Sequence, residues 1–243
     1  MKILVGTSGY SYKEWRGKFY PARIAPREML GFYAQRLSAV EINNTFYHMP
    51  TEAVLASWAA QVPDDFIFAV KAPQVITHLK RLQNVEDETG YFFRTLATLG
   101  RRLGPVLFQF PKSFRASPSR LADFLALIPD NSPCAFEFRN PSWLHPEILG
   151  LLRGKGCSLC LADTDESPVT EIINPGPWGY FRLRRTAYTE ADLTLWLKKI
   201  LAQTWEQAFV FFKHEEEARG PETAVHFREL ADSLTKGSQA GKP

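Results

Sequence analysis

Apolar residues along this chain fall into short continuous runs, separated by longer stretches in which they recur every three or four positions. The runs are too short for helices and rich in Val, Ile and Phe. They predict strands over residues 2–7, 39–43, 66–71, 105–110, 134–139, 157–163, 179–184 and 208–213. The three-to-four periodicity predicts helices over 26–37, 51–61, 89–103, 117–128, 146–155, 189–203 and 221–234. Several of these open on helix-start chemistry: Thr51 before Glu52, Ser117 before Pro118, Thr189 before Glu190. Strand alternating with helix implies a parallel sheet covered by helices. Eight strands in one series favour closure into a TIM-like (β/α) barrel over a large open sheet. No linker divides the chain, so residues 1–234 read as one domain and the small, polar stretch 235–243 as a flexible tail.

Strand side chains alternate between two faces, and parity shows where the polar ones point. Glu41 shares a face with Ala39 and Asn43. Lys71 shares one with Ile67 and Ala69, Gln109 with Leu107, and Glu137 and Arg139 with Ala135. Asp163 ends the sixth strand, Arg182 and Arg184 share a face of the seventh, and Lys213 followed by His214 ends the eighth. Nearly every strand is thus apolar until its C-terminal end and there delivers a polar or ionised group. In a barrel those ends converge on the mouth that carries catalysis. Charges persist there only if mutually paired or solvated, so a closed ring of ion pairs that merely finishes the barrel is the alternative to a working site.

The bases at these ends (Lys71, Arg139, Arg182, Arg184, Lys213) outnumber the acids (Glu41, Glu137, Asp163). Cations left over suit phosphate or carboxylate groups, which arginine grips with two parallel hydrogen bonds. The net charge of +3 is too small to imply a polyanionic partner by itself. A divalent metal on Glu41, Glu137, Asp163 and one of His48, His78 or His214 is not favoured, because no HxH or HExxH spacing occurs. No other cofactor is expected. The Gly6-Thr7-Ser8-Gly9 turn lacks the spacing of a nucleotide loop, although its amides could contact an anion. No nucleophile elbow appears.

Two connections are long. Residues 8–25 carry Tyr10, Tyr12, Trp15, Phe19 and Tyr20, and residues 73–88 carry His78. With Phe46, Tyr47 and Trp143, such aromatic loops either wall a pocket or pack on themselves as a lid. Cys134, Cys157 and Cys160 lie in apolar runs, and the last two, three apart in a strand, point to opposite faces. Inert core thiols in a reducing compartment are expected. The N-terminal apolar run is too short for a signal peptide and no stretch approaches the ~18 apolar residues of a membrane span. The expectation is therefore a cytoplasmic protein without membrane contact. Its oligomeric state is open.

The segments GTSGYSYKEWRGKFYP, VEINNTFYHMP, FAVKAPQVITH, LGPVLFQFPKSF and AFEFRNPSW resemble the YecE-like family, domain of unknown function 72. That resemblance implies a barrel similar to those of sugar isomerases and endonuclease IV. It places the family's polar signature on Thr7, Tyr10, Trp15, Glu41, Asn43, Thr45, Tyr47, Lys71, His78, Gln109, Glu137, Arg139 and Trp143, with Asp163 and Arg182 matching more loosely. Where many members carry Arg-x-His-Gly this chain reads Arg182-Leu183-Arg184-Arg185, and where many carry Phe-Asn-Asn it reads Phe212-Lys213-His214. Both departures add positive charge to the mouth.

The candidate catalytic groups are Glu41, Lys71, Glu137 and Asp163. The candidate binding groups are Thr7, Tyr10, Trp15, Asn43, Tyr47, His78, Gln109, Arg139, Trp143, Arg182, Arg184, Lys213 and His214. The leading expectation is an enzyme for a small anionic metabolite, with Arg139, Arg182 and Lys213 on the anion, Glu137 or Glu41 as general acid or base, and Lys71 as charge stabiliser, base or amine nucleophile. Nucleic-acid binding or repair cleavage, and a non-catalytic ligand- or partner-binding barrel, are the alternatives.

Overall fold

The computed structural model describes residues 1–213 and 218–239, with side chains to residue 234. Eight parallel strands close into one barrel in sequence order: β1 (Lys2–Ser8), β2 (Ala39–Ile42), β3 (Ile67–Lys71), β4 (Leu103–Gln109), β5 (Cys134–Glu137), β6 (Ser158–Asp163), β7 (Gly179–Leu183) and β8 (Gln207–Phe212). The closing pair runs from Lys2 opposite Gln207 to Thr7 opposite Phe212. Helices α1 (Met29–Ala34), α2 (Glu52–Ala59), α3 (Glu86–Leu96), α4 (Pro118–Leu127), α5 (Pro146–Gly154), α6 (Glu190–Leu201) and α7 (Arg219–Gln239) form the outer layer.

The helix-start chemistry sets the boundaries. Thr51 accepts a hydrogen bond from the Val54 amide, and Thr189 and Asp192 cap each other reciprocally at the start of α6. The helix expected over 89–103 begins earlier, at Glu86, where three acidic residues fill the first turn and suit its positive end. It then tightens to 3₁₀ turns over Ala97–Arg102, broken at Gly100 by its positive φ, and β4 starts at Leu103. α7 runs through Gln239, so Thr235–Gln239, expected as tail, continues the helix; Pro221 sits in the first turn, where it is tolerated, and extending an existing helix costs little. Residues 240–243 lie outside the described residues.

Parity divides the core in two. Val40, Ile42, Phe68, Val70, Phe108, Phe136, Phe181 and Val210 face the helices. Leu4, Ala39, Ala69, Leu107, Ala135, Cys160, Tyr180, Phe209 and Phe211 fill the barrel. Inside, alanines on β2, β3 and β5 leave room for the large rings of β7 and β8, which is how a packed rather than hollow barrel is filled. Gly6 belongs to this economy of space: a Cβ there would sit 1.9 Å from the Ala39 carbonyl oxygen. Cys157 lies in the outer cluster and Cys160 in the inner one, so the two thiols do diverge. No described helix is long and apolar enough to cross a membrane.

Candidate functional site

The polar residues at the C-terminal ends of the strands stand directly above this apolar filling. Arg182, 2% exposed, lies between the two inward carboxylates: its Nη1 donates to Glu137 Oε2 at 2.7 Å and its Nη2 to Glu41 Oε1 at 2.9 Å. Glu41 also accepts from Asn43 Nδ2 at Oε1 (3.0 Å) and from the Tyr180 hydroxyl at Oε2 (2.8 Å), which comes from β7 two residues before Arg182. Glu137 Oε1 accepts from Gln109 Nε2 at 2.7 Å and from Arg139 Nε at 3.2 Å. Two buried acids survive because each is both paired and hydrogen-bonded.

Burial opposes the charge on Glu41, but Arg182, with Asn43 and Tyr180, outweighs it and holds its pKa below the ordinary value. Glu137 is likewise pulled down against burial, to about 2, by Arg182 and Arg139 with the Gln109 amide. Both stay ionised at neutral pH and are poor proton carriers there.

Lys71 behaves oppositely. Its Nζ donates to Gln109 Oε1 at 2.8 Å and sits 4.0 Å over the Phe46 ring, and it makes no ion pair among the described residues. The position of Phe46 follows from Thr45, whose hydroxyl donates to the Lys71 carbonyl at 2.7 Å and pins the turn Asn44–Phe46 to the end of β3. Burial, and then the neighbouring Arg182, push the Lys71 pKa from 10.5 down to about 8.

Above these groups opens a cavity of about 290 Å³, lined by Ser8, Tyr12, Asn43, Tyr47, Lys71, Gln109, Arg139, Arg182, Arg184 and Lys213. Five of the ten are cationic and none is acidic. The guanidinium of Arg184 makes no ion pair or hydrogen bond among the described residues, and burial and Arg182 lower its pKa. Tyr47 stands 67% exposed at the rim. His78 lies beside the cavity with its ring against Phe46, and burial, Lys71 and Arg139 push its pKa down to about 4, so it is neutral at pH 7.

Five of the expected site residues are not brought to this cavity. Thr7 has the opposite parity to Ser8, and its hydroxyl turns outward to the Gly9 carbonyl and the Tyr33 hydroxyl. Tyr10 packs near Tyr33 and lines a separate apolar pocket. Trp15 is buried among Tyr12, Phe19 and Tyr20 in the loop's own cluster. Trp143 is fully buried, stacks on Phe138 and donates Nε1 to the Phe114 carbonyl. Asp163 follows the parity of Leu159 and Leu161 and faces outward, where it accepts from Arg185, Tyr188 and the Val169 amide. His214 lies outside the described residues.

Ser8, Tyr12 and Tyr180 are additions to the site. Tyr180 and Ser8 were legible in strand parity; Tyr12 reaches the cavity because Gly9, at φ 90°, folds the loop back and Tyr12 donates its hydroxyl to the Ser8 carbonyl. The Gly9 amide is engaged by the Glu41 carbonyl at 2.8 Å and does not face a ligand. No three His, Cys, Asp or Glu side chains among the described residues cluster as metal ligands, since Arg182 fills the space between the carboxylates.

The profile of the family described as "Protein of unknown function DUF72" matches residues 4–243. The chain belongs to the DUF72 family. UPF0759 protein YecE of Escherichia coli is 33% identical over 143 residues, 58% of this chain and 50% of that protein. UPF0759 protein YunF of Bacillus subtilis is 28% identical over 167 residues, 63% of this chain and 58% of that one. The matches thus span only about half the length of these curated DUF72 relatives. A crystal structure of a DUF72 family protein from Thermotoga maritima superposes with a TM-score of 0.84 at 26% identity, covering 96% of this chain and all of that one. One from Enterococcus faecalis gives 0.76 at 21% identity, covering 95% and 98%. The DUF72 fold is therefore the single-domain (β/α) barrel described above.

Proposed function

We propose that the mouth of this DUF72 barrel is an enzyme site for a small anionic metabolite, phosphorylated or carboxylated, with Lys71 as the group that carries the chemistry. The observation that supports it is the charge balance. Lys71 and Arg184 face the cavity with no acid partner among the described residues, and the two acids beneath them are already committed to Arg182, Arg139, Gln109, Asn43 and Tyr180. Assigning Asp163 to Arg185 removes the third acid from the mouth and sharpens the excess. Partly buried cations that cannot neutralise one another make a strong attractor for a phosphate or carboxylate.

In this reading Arg139, Arg184 and Lys213 hold the anion. Glu41 and Glu137 fix Arg182 and Gln109 in place and exchange no proton. Lys71, its pKa lowered to about 8, faces the cavity, as an acid, base or nucleophile must.

The test is a thermal-shift screen against phosphorylated sugars, organic acids, nucleotides and short single-stranded DNA. A ligand at ~100 times its Kd adds about 2.7 kcal/mol, which raises Tm by roughly 5–10 °C in a chain this long. The expected result is a shift with one small-anion class that is lost in Arg139→Ala and Arg184→Ala. A shift with DNA alone, or one that both variants retain, would overturn the reading.

A further inference from the structure

We infer that Lys71 is an amine nucleophile that forms a Schiff base with its substrate, so that the substrate is a small aldehyde or ketone carrying a phosphate or carboxylate. This rests on the anion-site reading and adds the functional group that reacts.

The geometry around Nζ is that of an amine kept accessible and kept from permanent protonation. A lysine facing a carboxylate is held charged and has no electron pair to offer. Glu137 is the nearest acid along the bonded chain, and Gln109 stands between: its Nε2 donates to Glu137 and its Oε1 accepts from Lys71. The Glu137 bond fixes the orientation of the amide, so Lys71 always meets a neutral acceptor that engages one N–H and leaves the rest of the nitrogen to the cavity. Phe46 packs under the amine, and burial together with Arg182 and Arg139 outweighs the opposing pull of Glu137 and Glu41. The resulting pKa near 8 leaves a useful fraction of neutral amine at pH 7–8, as Schiff-base lysines require. His78, neutral beside the cavity, adds no competing charge.

The step balances without any co-reactant. The electron pair of neutral Lys71 Nζ forms a C–N bond to the carbonyl carbon as the C=O π pair moves onto oxygen. The two amine hydrogens then leave with that oxygen as water, and a C=N bond remains. Water reverses the step. Arg139 and Arg184 bear on the anionic end of the same molecule, which turns a bimolecular addition into a positioned one.

Glycolaldehyde phosphate with cyanoborohydride, followed by peptide mapping, tests this at pH 8, with unphosphorylated glycolaldehyde as the control and Tm read in parallel. Lys71 should label about tenfold faster than the exposed Lys13 and Lys18, and only when the phosphate is present. Lys71→Arg should lose the adduct at this position while inorganic phosphate still raises its Tm. A Tm shift from glycolaldehyde phosphate with no preferential labelling of Lys71 would overturn the Schiff base and leave the anion site standing. Neither shift nor labelling would overturn both.

Discussion

The Nζ of Lys71 lies 2.8 Å from the amide oxygen of Gln109, so the strand-end amine of β3 is tied to a neutral partner and not to an acid. Gln109→Glu reverses that relationship. A carboxylate in the same place favours the ammonium form, so the pKa of Lys71 should rise from about 8 toward its ordinary 10.5. The pH dependence of its labelling by an amine reagent measures this directly. An unmoved profile would show that the amide does not set the reactivity of Lys71.

The depressed pKa also makes Lys71 a stability cost. Folding holds its pKa below the unfolded value, so the charged form is disfavoured in the native state. The penalty is complete below about pH 8 and is relieved as pH rises toward 10.5. Lys71→Met should therefore stabilise the protein at pH 7 by on the order of 1 kcal/mol, with the advantage shrinking toward pH 10.5. Urea denaturation at the two pH values checks both the sign and the trend.

Glu137 has the opposite linkage. Its folded pKa of about 2 lies below the ordinary 4.5, so its contribution to stability is present above 4.5 and lost as pH falls toward 2. Glu137→Gln should lower Tm at pH 7, because Arg182 loses half of its pairing. It should also make Tm fall less steeply between pH 5 and 3, as roughly one titrating group is removed.

Removing Arg182 strands two buried acids at once. Arg182→Ala should cost at least about 3–5 kcal/mol, the loss typical of breaking a buried pair. Equilibrium denaturation gives the value, and a change below about 1 kcal/mol would contradict the mutual dependence of these three charges.

Trp143 separates packing from binding. It is fully buried against Phe110, Phe114 and Phe138, so Trp143→Ala should cost about 3–5 kcal/mol. At a temperature where the variant is folded, its affinity for the small anion should match that of the parent. A large loss of affinity would return Trp143 to the site.

The barrel was legible because each strand is too short and too apolar to be anything else, and because inner and outer residues alternate strictly. The same alternation put Glu41, Lys71, Gln109, Glu137 and Arg182 on the inner face, where they are found. For Thr7 and Asp163 it was not applied, and both lie on the outer face. The aromatic residues of the long first loop were ambiguous for a different reason. Tyr12 and Trp15 have the same chemistry in the sequence, and only the reversal at Gly9 decides that one meets the cavity while the other joins the core. Nor could spacing reveal that Gln109 stands between Lys71 and Glu137, because that depends on which end of an amide faces which neighbour.

The most direct measurement is calorimetric titration of a small phosphorylated metabolite from the thermal-shift screen into the parent protein and Arg184→Ala. Arg184 faces the cavity without an internal partner among the described residues, so its loss should leave the fold intact. Kd should weaken by about tenfold or more, the equivalent of ~1.4 kcal/mol, with Tm of the free protein unchanged. An unchanged Kd would contradict an anion site at this mouth.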